Sequence, residues 1–451
     1  MLSTKAGKVV STEVQFDMET KLNLITKRTI EDKRFKFTSL AHLLNETSLK
    51  ECFYMLKKDK ATGVDEVTFE EYEMYLNTNI QKLVKRMKAG KYYPQPVRRA
   101  YIPKGEGKFR PLGIPSLEDK IVQMGISRIL NAIFEPNFLD CSHGFREGRS
   151  CHQALKQLDN TIMTKPVNHI IDADIRGFFD NVEHDWLLEM LKQKIADKNF
   201  LKIIVRFLKA GVMEDGKILE TEEGAPQGGV ISPVLSNVYL HYVLDLWVEK
   251  VVKREMQGYV DLIRYCDDFV ILVQYKEEAG KMLLLLKERL NKFGLDLAKE
   301  KTRAIEFGRY ANVNAERIGK KPDTFDFLGF THYCDRSRKG NFKVGRRTRR
   351  KKFNVKLKEM NEWLKSVRNM VELKEWWKTL SAKLRGHYEY YGISGNYESI
   401  EKFYKRSCRL AFKWLNRRSQ RKSMSWIQYA EYLNQFPLPK PEIKHNIYLF
   451  Q

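Results

Sequence analysis

The chain has 451 residues, room for about three domains by length alone, and 43% of them are hydrophobic and 12% aromatic, which excludes wholesale disorder. Eighty-one Lys and Arg against 57 Asp and Glu leave a net charge of +24, so the expected partner is a polyanion, nucleic acid before a membrane surface. Six cysteines (Cys52, Cys141, Cys151, Cys266, Cys334, Cys408) without a C-x-x-C pair argue against zinc modules and a disulfide framework and fit a reducing cytoplasm. No apolar run approaches the ~18–20 residues of a membrane helix, and Glu13, Asp17 and Glu19 speak against a signal or transit peptide.

In chain order, apolar spacing predicts a helix over Phe69–Lys88, stopped at Gly90. Arg98–Ile114 reads as two strands around a GEGK hairpin, and Glu118–Ile133 as a helix. Val167–Ile175 and the segments flanking Asp267–Asp268 read as short strands. Pro233–Val252 reads as a helix with Ser232 as its cap and Pro233 at its first position. A loop is expected around Cys334–Gly340, and beyond Phe353 the pattern is almost wholly helical. Strands and helices without βαβ regularity imply an α+β core. Charge divides the chain at the same loop: residues 340–422 hold 24 Lys and Arg against 7 Asp and Glu, a surplus of 17. Two parts with different tasks are implied.

The sharpest local signal is RYCDDFVILV, Arg264–Val273. Two adjacent carboxylates between apolar strands repel unless a cation sits on them, so Asp267 and Asp268 suggest a divalent metal site; a solvated hairpin turn is the plain alternative. IIDADIRGFFDNVEH adds Asp172 and Asp174 on one face of a strand, and spacing cannot choose between them. Asp180 fits a helix cap in Asp180-Asn181-Val182-Glu183. Three carboxylates from two strands are what two-metal phosphoryl transfer requires, with no side-chain nucleophile.

These runs carry a resemblance. FFDN after Asp174, GAPQGGVISPVLSNVYL (224–240), RYCDDF (264–269), GLDLAKEKT (294–302) and FDFLGF (325–330) follow one another as in reverse transcriptases. IPKGEGKFRPLGIPSLEDKIVQ (102–123), HGFREGRSCHQAL (143–155), RGHYEYYGISGN (385–396) and FKWLNRRSQRKS (412–423) resemble the bacterial group II intron-encoded type, over about residues 25–435. The resemblance implies a right-hand polymerase of α+β class, with fingers over 25–165, palm over 166–335, a helical thumb and maturase domain over 336–451, and residues 1–24 unassigned. It implies Asp174, Asp267 and Asp268 as catalytic residues, with Ile175 counted beside them in the metal set. Two Mg²⁺ ions per site are the implied cofactor, with Mn²⁺ a substitute. Cys266 stands where the family most often has Ala, and activity is expected to survive it.

The same resemblance assigns Lys104 and Arg110 to the incoming nucleotide's phosphates, Phe179 to a gate excluding a 2′-OH, Gln227 to the nucleotide pocket and Lys301 to protonation of the leaving pyrophosphate. Without it they would read as a basic hairpin, ordinary core, a plain glycine turn and a solvated lysine. Arg346, Arg347, Arg349, Arg350 and Lys351 in GRRTRRKK, with Arg417, Arg418 and Arg421 in RRSQRK, are the expected RNA contacts. The implied partners are an RNA template and primer, dNTPs, a parent group II intron RNA and target DNA, with no membrane and a bacterial cytoplasmic location. No His/Asn endonuclease domain is recognisable, so DNA cleavage is not expected. The alternatives are a splicing cofactor that does not polymerise, or a domesticated relative in DNA repair or defence.

Overall fold

The computed structural model describes residues 6–105, 108–214, 217–219, 224, 228–418 and 424–448. Its centre is an antiparallel sheet in which the His169–Arg176 strand lies between the Asp268–Val273 strand on one side and the short strands Arg303–Glu306 and Asp296–Leu297 on the other. Val260–Tyr265 closes the far edge beside Asp268–Val273.

Side-chain parity decides what each face of this sheet meets. Ile171, Ala173 and Ile175 join Phe269, Ile271 and Val273 in one core, packed with Met282 and Leu286 from the helix Lys276–Asn291. Ile170, Val270 and Leu272 join a second core with Leu155, Phe327 and Trp376. Each buried Val, Leu, Ile, Phe or Met side chain contributes about 1.5–3 kcal/mol. Asp172 and Asp174 share the parity of Ile170, so they leave the sheet on the second face, where that core opens into a cleft.

Before the sheet, Val97–Gly105 and Lys108–Ile114 form the expected hairpin, and Val97–Gly105 also pairs in parallel with Val212–Glu214. Helices pack behind it. Phe53 stacks on Phe69 at 4.1 Å between ring centres, and Thr26, in the helix Ala6–Glu31, donates to the Ala132 carbonyl at 3.2 Å. After the sheet, Thr324–Phe327, Phe330–Arg336 and Phe342–Thr348 form a three-stranded antiparallel sheet, followed by helices Arg350–Val367, Leu373–Tyr391, Tyr397–Leu415 and Trp426–Gln435. Residues 438–447 then fold back along the second of these. Tyr388 donates to the Pro439 carbonyl at 3.0 Å, His445 donates its main-chain N–H to the Gly392 carbonyl at 2.9 Å, and the His445 ring stacks on His152 at 3.6 Å. None of the six cysteines forms a disulfide. No helix among the described residues is long and apolar enough to cross a membrane.

Four local expectations are corrected. The helix over 69–88 is two, Phe69–Met74 and Leu76–Lys88, with a break at Tyr75. Asp180 caps nothing: Gly177, at φ 53°, opens a short 3-10 turn over Phe178–Asp180, and the next helix begins at His184. Ile231, not Ser232, holds the cap position of the helix that follows, so the cap residue makes no side-chain capping bond, and Gln123 Oε1 accepts from the Val230 N–H at 2.8 Å just ahead of it. The loop expected near 334–340 is narrower, a hairpin turn over 337–341 between the strands Phe330–Arg336 and Phe342–Thr348.

Candidate active site

The acidic hairpin is built from the backbone outward. Val260–Tyr265 and Asp268–Val273 pair in register, Tyr265 opposite Asp268, leaving Cys266 and Asp267 as a two-residue turn. Such turns favour a positive φ at their first central residue, and Cys266 adopts φ 59°. That left-handed conformation costs a non-glycine residue roughly 1–2 kcal/mol, so packing must hold it. On the other side of Asp268–Val273, Asp174 sits directly opposite Asp268. Three carboxylates thus gather at one end of two paired strands, and the register separates Asp174 from Asp172, which faces Val270 further along.

The electrostatics carry the mark of this crowding. Burial, then the charges of Asp267 and Asp174, push the Asp268 carboxyl up to about 6. Asp172 is likewise raised to about 6, chiefly by burial, with Arg303 at 3.8 Å opposing the shift. Lys301 forms an ion pair with Asp174, and that bond holds its ammonium above the ordinary lysine range. A cluster of hard oxygen donors whose neighbouring charges raise the Asp268 carboxyl fits a divalent cation. Among the described residues no three acidic, histidine or cysteine side chains form a ready-made metal cage. Ions of the Mg²⁺ type do not need one, since one or two carboxylates plus substrate phosphates suffice. The Ile175 side chain is hydrocarbon and buried, so any contribution to such an ion would come from its main-chain oxygen.

The carboxylates line one wall of a cleft of about 1140 Å³. The opposite wall is basic: Arg349, Lys352 and Lys356 at the start of the helix Arg350–Val367, and Lys383 on the next helix. Arg349 pairs with Asp326 at 2.8 Å. His387 closes the back, stacked on Phe403 at 3.6 Å and pushed down to about 3 by burial, so it is neutral. Lys352, Lys356 and Lys383 escaped the sequence reading. The spacing of 352 and 356, one helical turn apart, was the available signal.

The remaining expected residues are dispersed. Arg110 lies exposed on the Lys108–Ile114 strand, opposite Ile102, and does not line the cleft. The Lys104 side chain, Gln227 and Arg421 lie outside the described residues. Phe179 is buried beside Phe178. The described ends of the GAPQGG loop are nevertheless anchored. A Cβ on Gly224 would meet the Asp180 and Phe179 carbonyls at 3.0 and 3.1 Å, and one on Gly228 would strike the Gly113 carbonyl at 2.6 Å. Both glycines have positive φ, and they lie against the Phe179 turn and the basic hairpin respectively.

Arg346 is a correction. It is 1% exposed and ion-paired with Asp159, because GRRT lies in a strand and alternation sends Arg346 inward and Arg347 outward. Arg346 therefore joins the sheet to the helix Cys151–Thr164 and cannot reach RNA. Arg347, Arg350, Lys351 and Arg417 are exposed, while Arg349 and Arg418 are half-buried.

Comparison with known proteins follows the same outline. Residues 102–332 match the family described as reverse transcriptase (RNA-dependent DNA polymerase). The chain is 33% identical over 304 residues to the group II intron-encoded protein LtrA of Lactococcus lactis, covering 64% of this chain and 50% of that protein. It is 32% identical over 301 residues to Protein YkfC of Escherichia coli, covering 62% and 78% respectively. A shorter stretch of 142 residues is 33% identical to the nuclear intron maturase 4, mitochondrial, of Arabidopsis thaliana, covering 29% of this chain and 16% of that protein. The chain spans about half the length of the LtrA protein it matches.

Proposed function

Because the chain belongs to the reverse transcriptase (RNA-dependent DNA polymerase) family, we propose that it extends a primer 3′-OH on an RNA template with dNTPs. The family works with divalent metal ions and an RNA template. The observation that carries the reading is the register of Asp174 opposite Asp268, with Asp267 in the adjoining turn.

Two Mg²⁺ ions on Asp174, Asp267 and Asp268, with Mn²⁺ as a substitute, would supply the charge that activates the primer hydroxyl and accepts the leaving pyrophosphate. The protein's own contribution is positional. The paired strands hold the carboxylates, and Lys301, ion-paired with Asp174, would give a proton to the departing phosphates. Phe179 and Gln227 would shape the sugar and base pocket, and Lys104 and Arg110 would bind the triphosphate from the hairpin. The basic wall would grip the template–primer backbone. Fingers over 25–165, palm over 166–335 and thumb over 336–451 suit this division, the last two sharing the strand Phe330–Arg336.

A second activity is favoured by the basic helices and by the names of the intron-encoded and maturase relatives: binding of a parent group II intron RNA, assistance to its splicing, and engagement of target DNA, in a bacterial cytoplasm. Primer extension on a long RNA with dNTPs and Mg²⁺, beside an Asp267→Ala/Asp268→Ala control, tests the first reading. Full-length cDNA from the unmodified chain alone is expected. Tight RNA binding by both proteins with extension by neither would leave the splicing role and remove the polymerase.

A further inference from the structure

Beneath the acidic turn lies a buried polar cluster that the proposed reaction does not use. Arg264, at the end of the Val260–Tyr265 strand, is fully buried. Its guanidinium donates to both carboxylate oxygens of Asp245 at 2.7 and 2.5 Å, to Asn237 Oδ1 at 3.2 Å, and to the Cys266 carbonyl at 3.0 Å. Its main chain is tied as well: the N–H donates to the Cys141 carbonyl at 2.7 Å, and the carbonyl accepts from His143 N–H at 2.9 Å. Asn237 in turn donates to the Gly144 carbonyl at 2.8 Å. Gly144 abuts Cys266 so closely that any Cβ on it would overlap the Cys266 sulfur and main-chain nitrogen.

Asn237 and Asp245 are eight residues apart, about 80° around a regular α-helix. The helical run from Ser232 carries a π-helical turn over His241–Asp245, and a wider turn at this point keeps both side chains within reach of one guanidinium. Burying a charge pair is a poor way to add stability, because apolar residues of the same volume do as well. What an apolar replacement cannot do is hold a main-chain carbonyl. The Cys266 carbonyl belongs to the one residue of the turn in the left-handed conformation, immediately before Asp267.

We infer that Arg264 is a positioning residue, which, aligned by Asp245 and Asn237, clamps the Cys266 carbonyl and so fixes where Asp267 and Asp268 project toward Asp174. The inference rests on the polymerase reading, and it assigns to the far side of the turn the task of presetting the metal site. Arg264 touches neither metal nor substrate; its effect passes through the turn.

The test uses the full chain with Asn237→Ala, which removes one bond and leaves the Arg264–Asp245 pair, and Arg264→Lys, which keeps the charge and loses the fork. Metal binding is read directly by tyrosine-sensitised Tb³⁺ emission, with Asp267→Ala/Asp268→Ala as the blank, and extension is measured across Mg²⁺ concentrations. Both variants should bind Tb³⁺ and Mg²⁺ about tenfold or more weakly, with unchanged RNA affinity and an unchanged KM for dNTP at saturating Mg²⁺. If Arg264→Lys does not fold, Asn237→Ala decides alone. Wild-type Tb³⁺ and Mg²⁺ dependence in a folded Asn237→Ala protein, even one that melts earlier, overturns the inference and leaves the polymerase standing. An unmodified chain that neither extends a primer nor exceeds the blank in Tb³⁺ binding removes both together.

Discussion

The two walls of the cleft meet opposite demands with opposite construction. On the acidic wall, Asp174 and Asp268 sit on paired strands and Asp267 in a two-residue turn, all fixed by a backbone ladder with packed cores around it. On the basic wall, Arg349, Lys352, Lys356 and Lys383 stand on or beside helices, with long side chains directed into the cleft. On the first wall burial and the charges of Asp267 and Asp174 raise the Asp268 carboxyl, and like charges held this close require rigid support. On the second, charge acts additively on a polyanion and tolerates movement. A cleft of this kind separates geometry from grip, and each wall can be damaged without the other.

The largest break is expected on the acidic wall. Asp267→Ala/Asp268→Ala should cut extension by at least about a thousandfold, since metal charge stabilisation is worth several kcal/mol at tenfold per 1.4 kcal/mol. RNA affinity, measured by filter binding, should stay within about twofold, because the grip lies opposite. Next comes the basic wall. Lys352→Ala/Lys383→Ala should weaken RNA binding about tenfold at physiological salt and reduce the slope of log affinity against log salt by roughly 1.5. The extension rate at saturating RNA should hold, which a salt series with parallel kinetics would check.

Acid sharpens the contrast further. The carboxyls of Asp268 and Asp172, both at about 6, lie above the ordinary value of 3.8, so the metal-free fold binds these protons more tightly than the unfolded chain. Their contribution to metal-free stability is therefore full below about pH 4 and is lost as pH rises through about 6. Metal binding runs the other way. Tb³⁺ affinity should fall roughly fourfold between pH 7.5 and 5.5 as Asp268 takes up its proton, while RNA binding through lysines and arginines should not move. The smallest effect is expected from Cys266→Ala, which keeps a Cβ in the left-handed position. Extension within about twofold of the unmodified chain, and insensitivity to thiol reagents, would match its burial beside Gly144 and its thiol pushed up to about 12.

The sequence made much of the acidic wall legible, because it is written in short-range terms: apolar runs on either side of Asp267–Asp268, and Asp172 and Asp174 two apart on a strand. Register is not short-range. No spacing in IIDADI could tell that Asp174 and not Asp172 would face Asp268, and only the resemblance chose between them ahead of the strand pairing. The basic wall was legible as a quantity of charge and not as a surface. GRRTRRKK straddles a strand end and a helix start, so Arg346 turned inward while Lys352, one residue beyond the expected contacts, faced the cleft. The break at Tyr75 has neither glycine nor proline to announce it, and the Arg264–Asn237–Asp245 cluster joins residues up to 27 positions apart.

The fold-back of residues 438–447 bears on when the protein becomes competent. The helix Leu373–Tyr391 supplies Lys383 and His387 to the cleft, and its end is bonded through Tyr388 and Gly392 to Pro439, Lys444 and His445, with Leu438 and Ile447 buried against the same core. A ribosome that has made the whole acidic sheet has therefore not yet made the strap that seats the basic wall. Synthesis orders the parts in time: the strands that carry the acidic residues are made first, and the core that covers one face of their sheet, shared with Trp376, Leu438 and Ile447, is complete only when residue 447 has emerged.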